Sequence, residues 1–213
     1  TFVATANSVK SIGAKPVFVD ILNDNFTMDP NDLRKKITRR TKAIIPVHLY
    51  GHMAYMDEIL EIAKKKNIKI IEDASQSLGS KFKGKHSGTF SHLGCFSLYG
   101  GKVITSGEGG AIVTDDKKLL EKLRQIRNHG MTKNNLITTL GLNLRLSEIN
   151  AAIAKIQMKK LPHLINERKK NAQNLTDLLK DYDIILPKQR KNETRNWYLY
   201  TVALKNRDKA MKK

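Results

Sequence analysis

Short apolar runs alternating with helix-length segments fill the middle of this 213-residue chain, and that alternation restricts what it can build. Ala43–Pro46 and Ile68–Asp73 read as strands, and between them Met56–Lys66 places Met56, Ile59, Leu60 and Ala63 along one helical face. Cys95–Tyr99 and Ala111–Thr114 are two further apolar strands, followed by a helix over Lys117–Asn128. Such an order fits an α/β fold, a mainly parallel sheet covered by helices. Upstream, Thr1–Gly13 reads as a strand or loop entering a helix and Lys15–Asp20 as a strand. Asp29 and Pro30 then cap a helix over Asn31–Ile37. Downstream, Ser147–Lys160 is helical, Pro162 marks a bend before a polar helix over His163–Leu179, and Trp197–Leu204 reads as a strand.

Composition narrows the class. A chain of this length can bury a substantial core. No segment approaches an uninterrupted apolar span, and no charged-then-apolar leader opens the sequence. The single cysteine, Cys95, precludes an internal disulfide framework and fits a reducing cytoplasm; beside Phe96 it reads as a small core residue. The net charge of +19 would attract polyanions. Its lysines and arginines are spread over many helices, however, rather than gathered into one recognition element, which argues against nucleic acid. A positive field also suits a nucleotide diphosphate.

The run GCFSLYGGKVITSGEGGAIVT, Gly94 to Thr114, carries the chemistry. An apolar strand bearing Ser97 leads through Gly100-Gly101 to Lys102, and the glycine-rich hairpin Ser106–Gly110 returns into a second apolar strand. Burial between the two strands would depress the lysine ammonium, and a neutral amine is what imine formation with a carbonyl needs. Upstream, the strand ending in Glu72-Asp73 runs into a small, polar loop. Carboxyl ends of strands line the ligand crevice of α/β sheets. A carboxylate there can hold the ring nitrogen of pyridoxal phosphate (PLP) protonated, making the ring an electron sink.

These segments resemble the DegT/DnrJ/StrS family of PLP-dependent sugar aminotransferases. TFVATANSVKSIGAKPVFVDI, TKAIIPVHLYGHMAYMDEI, IIEDASQSLGS, FSLYGGKVITSGEGGAIVT and GLNLRLSEINAAIAKIQMKKL occur in family order and span residue 1 to about residue 204. The resemblance implies the seven-stranded-type large domain of the aspartate-aminotransferase fold over residues 1–161, with its N-terminal part missing. A linking helix and partial α+β small domain follow over 162–213. It implies transfer of an amino group, with glutamate as donor, to a keto sugar linked to a nucleotide, in a cytoplasmic homodimer with a shared site.

The same resemblance implies site roles. Lys102 is the cofactor lysine and proton shuttle; related dehydratases have histidine there, so Lys102 points to transamination. Asp73 pairs with the pyridine nitrogen, Gln76 lies near the ring oxygen, Ser97 binds the phosphate and Phe2 stacks on the ring. Asn143 reaches the phosphate of the neighbouring subunit, with Arg145 steadying its loop. His48, Tyr50 and Glu108 face the substrate. His48 and His52 have a zinc-compatible spacing, but a glycine-containing loop lies between them and no third ligand is near, so no metal is expected. Gly101, Val103 and Tyr198 depart from family usage, the last standing where many members have histidine. The chain lacks the family's phosphate-binding glycine turn, which leaves one alternative: an inactive remnant retaining only folding or dimerisation.

Overall fold

The computed structural model describes residues 1–212. In chain order, helix α1 (Val3–Ser11) and α2 (Pro30–Lys36) precede strand β1 (Ala43–Ile44), a 3-10 turn (Leu49–Gly51) and α3 (Met56–Lys66). Strands β2 (Lys69–Asp73), β3 (Lys81–Phe82), β4 (Lys85–His86), β5 (Leu93–Ser97) and β6 (Gly110–Val113) follow. Helices α4 (Lys117–Arg127) and α5 (Glu148–Leu179), strand β7 (Glu193–Thr194) and the short α6 (Arg207–Ala210) complete the order.

One sheet has the order β1-β2-β5-β6. Its first two pairings are parallel and the last is antiparallel, with Asp73 opposite Cys95 and Ser97 opposite Gly110. The alternating pattern in β2 buries Ile70 and Glu72 on one side. Met56, Ile59, Ile62 and Ala63 of α3 pack with Ile44, Ile68 and Ile70, each buried, to form the principal core. Burial of each larger aliphatic side chain contributes about 1.5–3 kcal/mol. Asn67, in the left-handed conformation, ends α3 and turns the chain into β2. The Asp29 carboxylate accepts the Asn31 N–H to start α2, and Asp116 caps α4 in the same way.

The second sheet, β4-β3-β7, is antiparallel and joins the far end of the chain to its middle.

Four features differ from the sequence reading. Lys15–Asp20 forms no strand: no described strand runs beside it to pair with its backbone, and Val17 and Phe18 are exposed. Strand β6, expected to be buried, is an edge strand exposed along its length. Pro162 does not divide two helices. Helix α5 runs 32 residues through it, and the exposed ring costs the helix one backbone donor without ending it. Trp197–Leu204 is not a strand; the left-handed backbone of Trp197 (φ 52°) breaks the β alternation, and only an isolated Ile185–Ala203 bridge forms beyond it.

Candidate active site

Three chain segments converge at the carboxyl ends of β2 and β5. Strand β2 delivers Asp73 and the loop Ala74–Ser80, β5 delivers Ser97 and the turn to Lys102, and the segment after β7 folds over them. Ser75, Gln76, Leu78, Ser97, Lys102 and Tyr198 line one cleft. A larger open groove of roughly 680 Å³ lies between α4 and Thr138–Thr139. It is lined by surface lysines, Glu121 and Gln125 and holds no buried nucleophile, so the chemistry belongs to the smaller cleft.

Lys102 is half-buried, at the end of a turn closed by its N–H donating to the Tyr99 carbonyl at 3.0 Å. Desolvation lowers the pKa of its ammonium below the ordinary lysine value, and the charge of Asp73 opposes that shift. The two residues therefore feel each other across the cleft. The Asp73 carboxylate accepts a hydrogen bond from Thr5 Oγ1 at 2.7 Å and one from the Ser75 N–H at 3.1 Å. Its backbone is fixed in the parallel ladder, where the Asp73 N–H donates to Pro46 O and the His48 N–H donates to Asp73 O. Ser97 Oγ accepts the Tyr99 N–H at 3.3 Å, so its hydroxyl hydrogen is available to an anion.

Gln76 lies in the cleft with its Oε1 accepting the Tyr50 N–H at 2.9 Å. Tyr50 thereby sits beside the site, its backbone left-handed (φ 57°) and its ring edge-on to Phe26.

His48 corrects the sequence reading. It is fully buried, its Nδ1 accepts the Ala54 N–H at 3.1 Å, and its Nε2 lies 2.9 Å from Glu72 Oε2. A ring that accepts at Nδ1 carries its proton on Nε2, so it donates to Glu72 and presents nothing to a substrate. Glu72 also accepts from the N–H groups of Gly88, Phe90 and Ser91 and from Ser91 Oγ. Burial disfavours its charge, but the His48, Ser91 and Gly88 donors outweigh burial and hold the carboxyl below its usual range.

Phe2 precedes α1 and is 70% exposed, one turn before Thr5. Asn143 is exposed in a loop bridged to Asn128, and Arg145 Nη1 donates to Asn128 Oδ1, which does steady that loop. Neither Phe2 nor Asn143 lines the lysine cleft. Glu108 is exposed at the hairpin, where its carbonyl accepts from Ser106 Oγ and Asn150 Nδ2. Cys95 is a half-buried free thiol whose pKa is pushed up by burial and then by Asp73 and Glu72, which suppresses the thiolate, as befits an unreactive packing residue. Among the described residues no group of three His, Cys, Asp or Glu side chains could hold a metal, and no helix is long and apolar enough to cross a membrane.

Sequence reasoning missed Thr5, which reaches Asp73 from 68 positions away, and Asn196, which reaches Gln76 from 120 away. No local pattern announces either contact. The donor set nevertheless fits PLP: a desolvated amine for its aldehyde, a carboxylate for its ring nitrogen and a free hydroxyl at a strand end for its phosphate.

Residues 1–213 match the model of the DegT/DnrJ/EryC1/StrS aminotransferase family. Among curated proteins, a GDP-perosamine synthase of Escherichia coli O157:H7 is 39% identical over 190 residues, 85% of this chain and 52% of that protein. A pleiotropic regulatory protein of Geobacillus stearothermophilus is 40% identical over 212 residues, 98% of this chain and 57% of that protein. The crystal structure of DesV from S. venezuelae superposes with a TM-score of 0.94 at 38% identity, covering 98% of this chain and 57% of that one. The chain thus spans about half the length of the relatives it matches.

Proposed function

Because the chain belongs to the DegT/DnrJ/EryC1/StrS aminotransferase family along residues 1–213, we propose that the full-length protein transfers an amino group from an amino acid, glutamate foremost, to a keto sugar carried on a nucleotide. One observation carries this reading: Lys102 is a desolvated amine within electrostatic reach of Asp73 at the carboxyl ends of adjacent parallel strands. PLP, the cofactor of the family, supplies when bound an aldehyde carbon and an electron-withdrawing ring.

The protein's own residues supply the rest. Lys102 Nζ, whose partial burial favours the neutral amine, would hold the cofactor aldehyde and, when free of it, would carry a proton between the donor α-carbon and the cofactor, and in the reverse half-reaction between the cofactor and the carbon being aminated. Asp73, held by Thr5 and Ser75, keeps a proton on the ring nitrogen. Ser97 Oγ would donate to the phosphate, and Gln76 would face the ring oxygen. Tyr50 and Glu108 would border the sugar side, and Phe2, outside the cleft in this structure, would have to turn inward to cover the ring. His48 is left out of this assignment because both of its nitrogens are engaged in the core.

The reading extends to assembly. Leu140, Leu142 and Leu144 are 87%, 59% and 60% exposed on either side of Asn143, an apolar loop suited to burial against a second copy. A homodimer would cover it and carry Asn143 to the neighbour's phosphate. Residues 1–161 then form most of a cofactor-binding domain, and 162–213 a linking helix with part of a smaller one. The free Cys95 suits the cytoplasm.

Mixing the PLP-loaded full-length protein with glutamate and following the cofactor absorbance tests the central role. Lys102→Ala should slow that half-reaction by about 10³-fold. Turnover at the native rate without Lys102 would remove the proposal.

A further inference from the structure

The segment that leaves β7 meets the Gln76–Ser80 loop and Lys102, and one buried side chain organises that contact. Asn196 is 0% exposed. Its Nδ2 donates to the carbonyls of Gln76 and Leu78, both at 3.0 Å, while its Oδ1 accepts the Tyr198 N–H at 3.0 Å. Two acceptors at one end and one donor at the other fix the orientation of the amide. Its backbone N–H donates to Ser80 Oγ, which donates to the Gly51 carbonyl. Gly51 itself, at φ 88°, leaves room for the Asn196 amide that a Cβ would fill.

Tyr198 is held from two sides. The Asn196 Oδ1 bond closes a short turn around the left-handed Trp197, and Arg168 Nη1 of α5 donates to the carbonyls of Trp197 and Tyr198, both at 3.3 Å. This places the face of the Tyr198 ring 4.9 Å from Lys102 Nζ. An aromatic face at that distance favours a positive charge on the nitrogen and restricts where the amine can point. Among the described residues, Asp73 is the charged group whose field opposes the desolvation of Lys102.

We propose that Asn196 is a positioning residue for Lys102: its amide clamps the Gln76–Leu78 loop and the Tyr198 turn together, and so holds the Tyr198 ring against the lysine amine. The geometry is independent of any cofactor, but its bearing on transamination rests on Lys102 being the cofactor lysine.

Competitive acetylation of the full-length protein without added cofactor, read peptide by peptide against pH, gives the titration midpoint of Lys102 directly. Tyr198→Leu should lower that midpoint by about 0.5–1 pH unit, while Tyr198→Phe, which keeps the ring, should leave it in place. Asn196→Ala should lower it in the native background and add nothing in the Tyr198→Leu background, because both changes remove one shared contact. An unmoved midpoint in Tyr198→Leu would overturn the ring contact. Equal shifts from Asn196→Ala in both backgrounds, or no shift, would overturn the clamp. Failure of Lys102 to take up PLP would defeat the functional reading while leaving this titration intact, so the two failures are separable.

Discussion

The two sides of β2 at its carboxyl end each carry a carboxylate, and they have become different kinds of place. Glu72 points into the core, where His48, Gly88, Phe90 and Ser91 saturate it with donors. Asp73, the next residue, is only partly buried, has two donors and leaves its charge available to Lys102. Strand alternation alone separates them. A buried carboxylate that is fully bonded fixes the loop Gly88–Ser91 to the sheet; a partly bonded one beside a desolvated amine is chemical capacity.

The sharpest way to break this contrast is to remove the core carboxylate. Glu72→Ala should cost about 3–5 kcal/mol in denaturant unfolding, because five donors from four residues lose a shared buried acceptor. A loss below about 1 kcal/mol would show that the core side is not the structural one. On the cleft side, Asp73→Asn should leave stability within about 1 kcal/mol while lowering kcat by about 10²-fold, the scale for losing one preorganised charge in a site. It should also lower the Lys102 titration midpoint, since the charge that opposes desolvation is gone.

Acid gives a smaller, graded separation. Glu72 and Glu193 are held below the ordinary carboxylate range despite burial, Glu193 by His52 and by the Met53 and Arg190 N–H groups. Their stabilisation is complete above that range and disappears as pH falls through the lowered folded values. Burial also lowers His52, against the pull of Glu193. The unfolded chain therefore takes up that proton first, and stability starts to decline below about pH 6.5. Thermal melts should show a flat Tm above about pH 7, a shallow fall beneath it and a steeper one in the carboxylate range. His52→Gln should reduce the shallow part, leaving the smaller share of the more exposed His86, and a Tm that rises on acidification would contradict the account.

What was legible in the sequence follows the same division. Met56–Lys66 and the strand ending at Asp73 were readable because their apolar period is local. Lys102, Asp73, Gln76 and Ser97, each near a strand end and within one motif, meet in or beside one cleft as expected. The resemblance placed His48 on the substrate side, and its burial was not legible because its acceptor lies 24 residues away. The strand expected at Trp197–Leu204 failed for a related reason. Its apolar and aromatic composition suits a strand, but a long-range hydrogen bond from Arg168 and a left-handed Trp197 decide otherwise. Asn196 was invisible because three of its contacts, to Ser80, Gln76 and Leu78, lie more than a hundred positions distant.

Reduction of the PLP-loaded full-length protein with borohydride, followed by digestion and mass measurement of the peptides, bears most directly on the role given to the cleft. The account predicts the reduced cofactor mass on the peptide containing Lys102 and on no other lysine. Attachment at a different lysine, or no attachment at all, would contradict it.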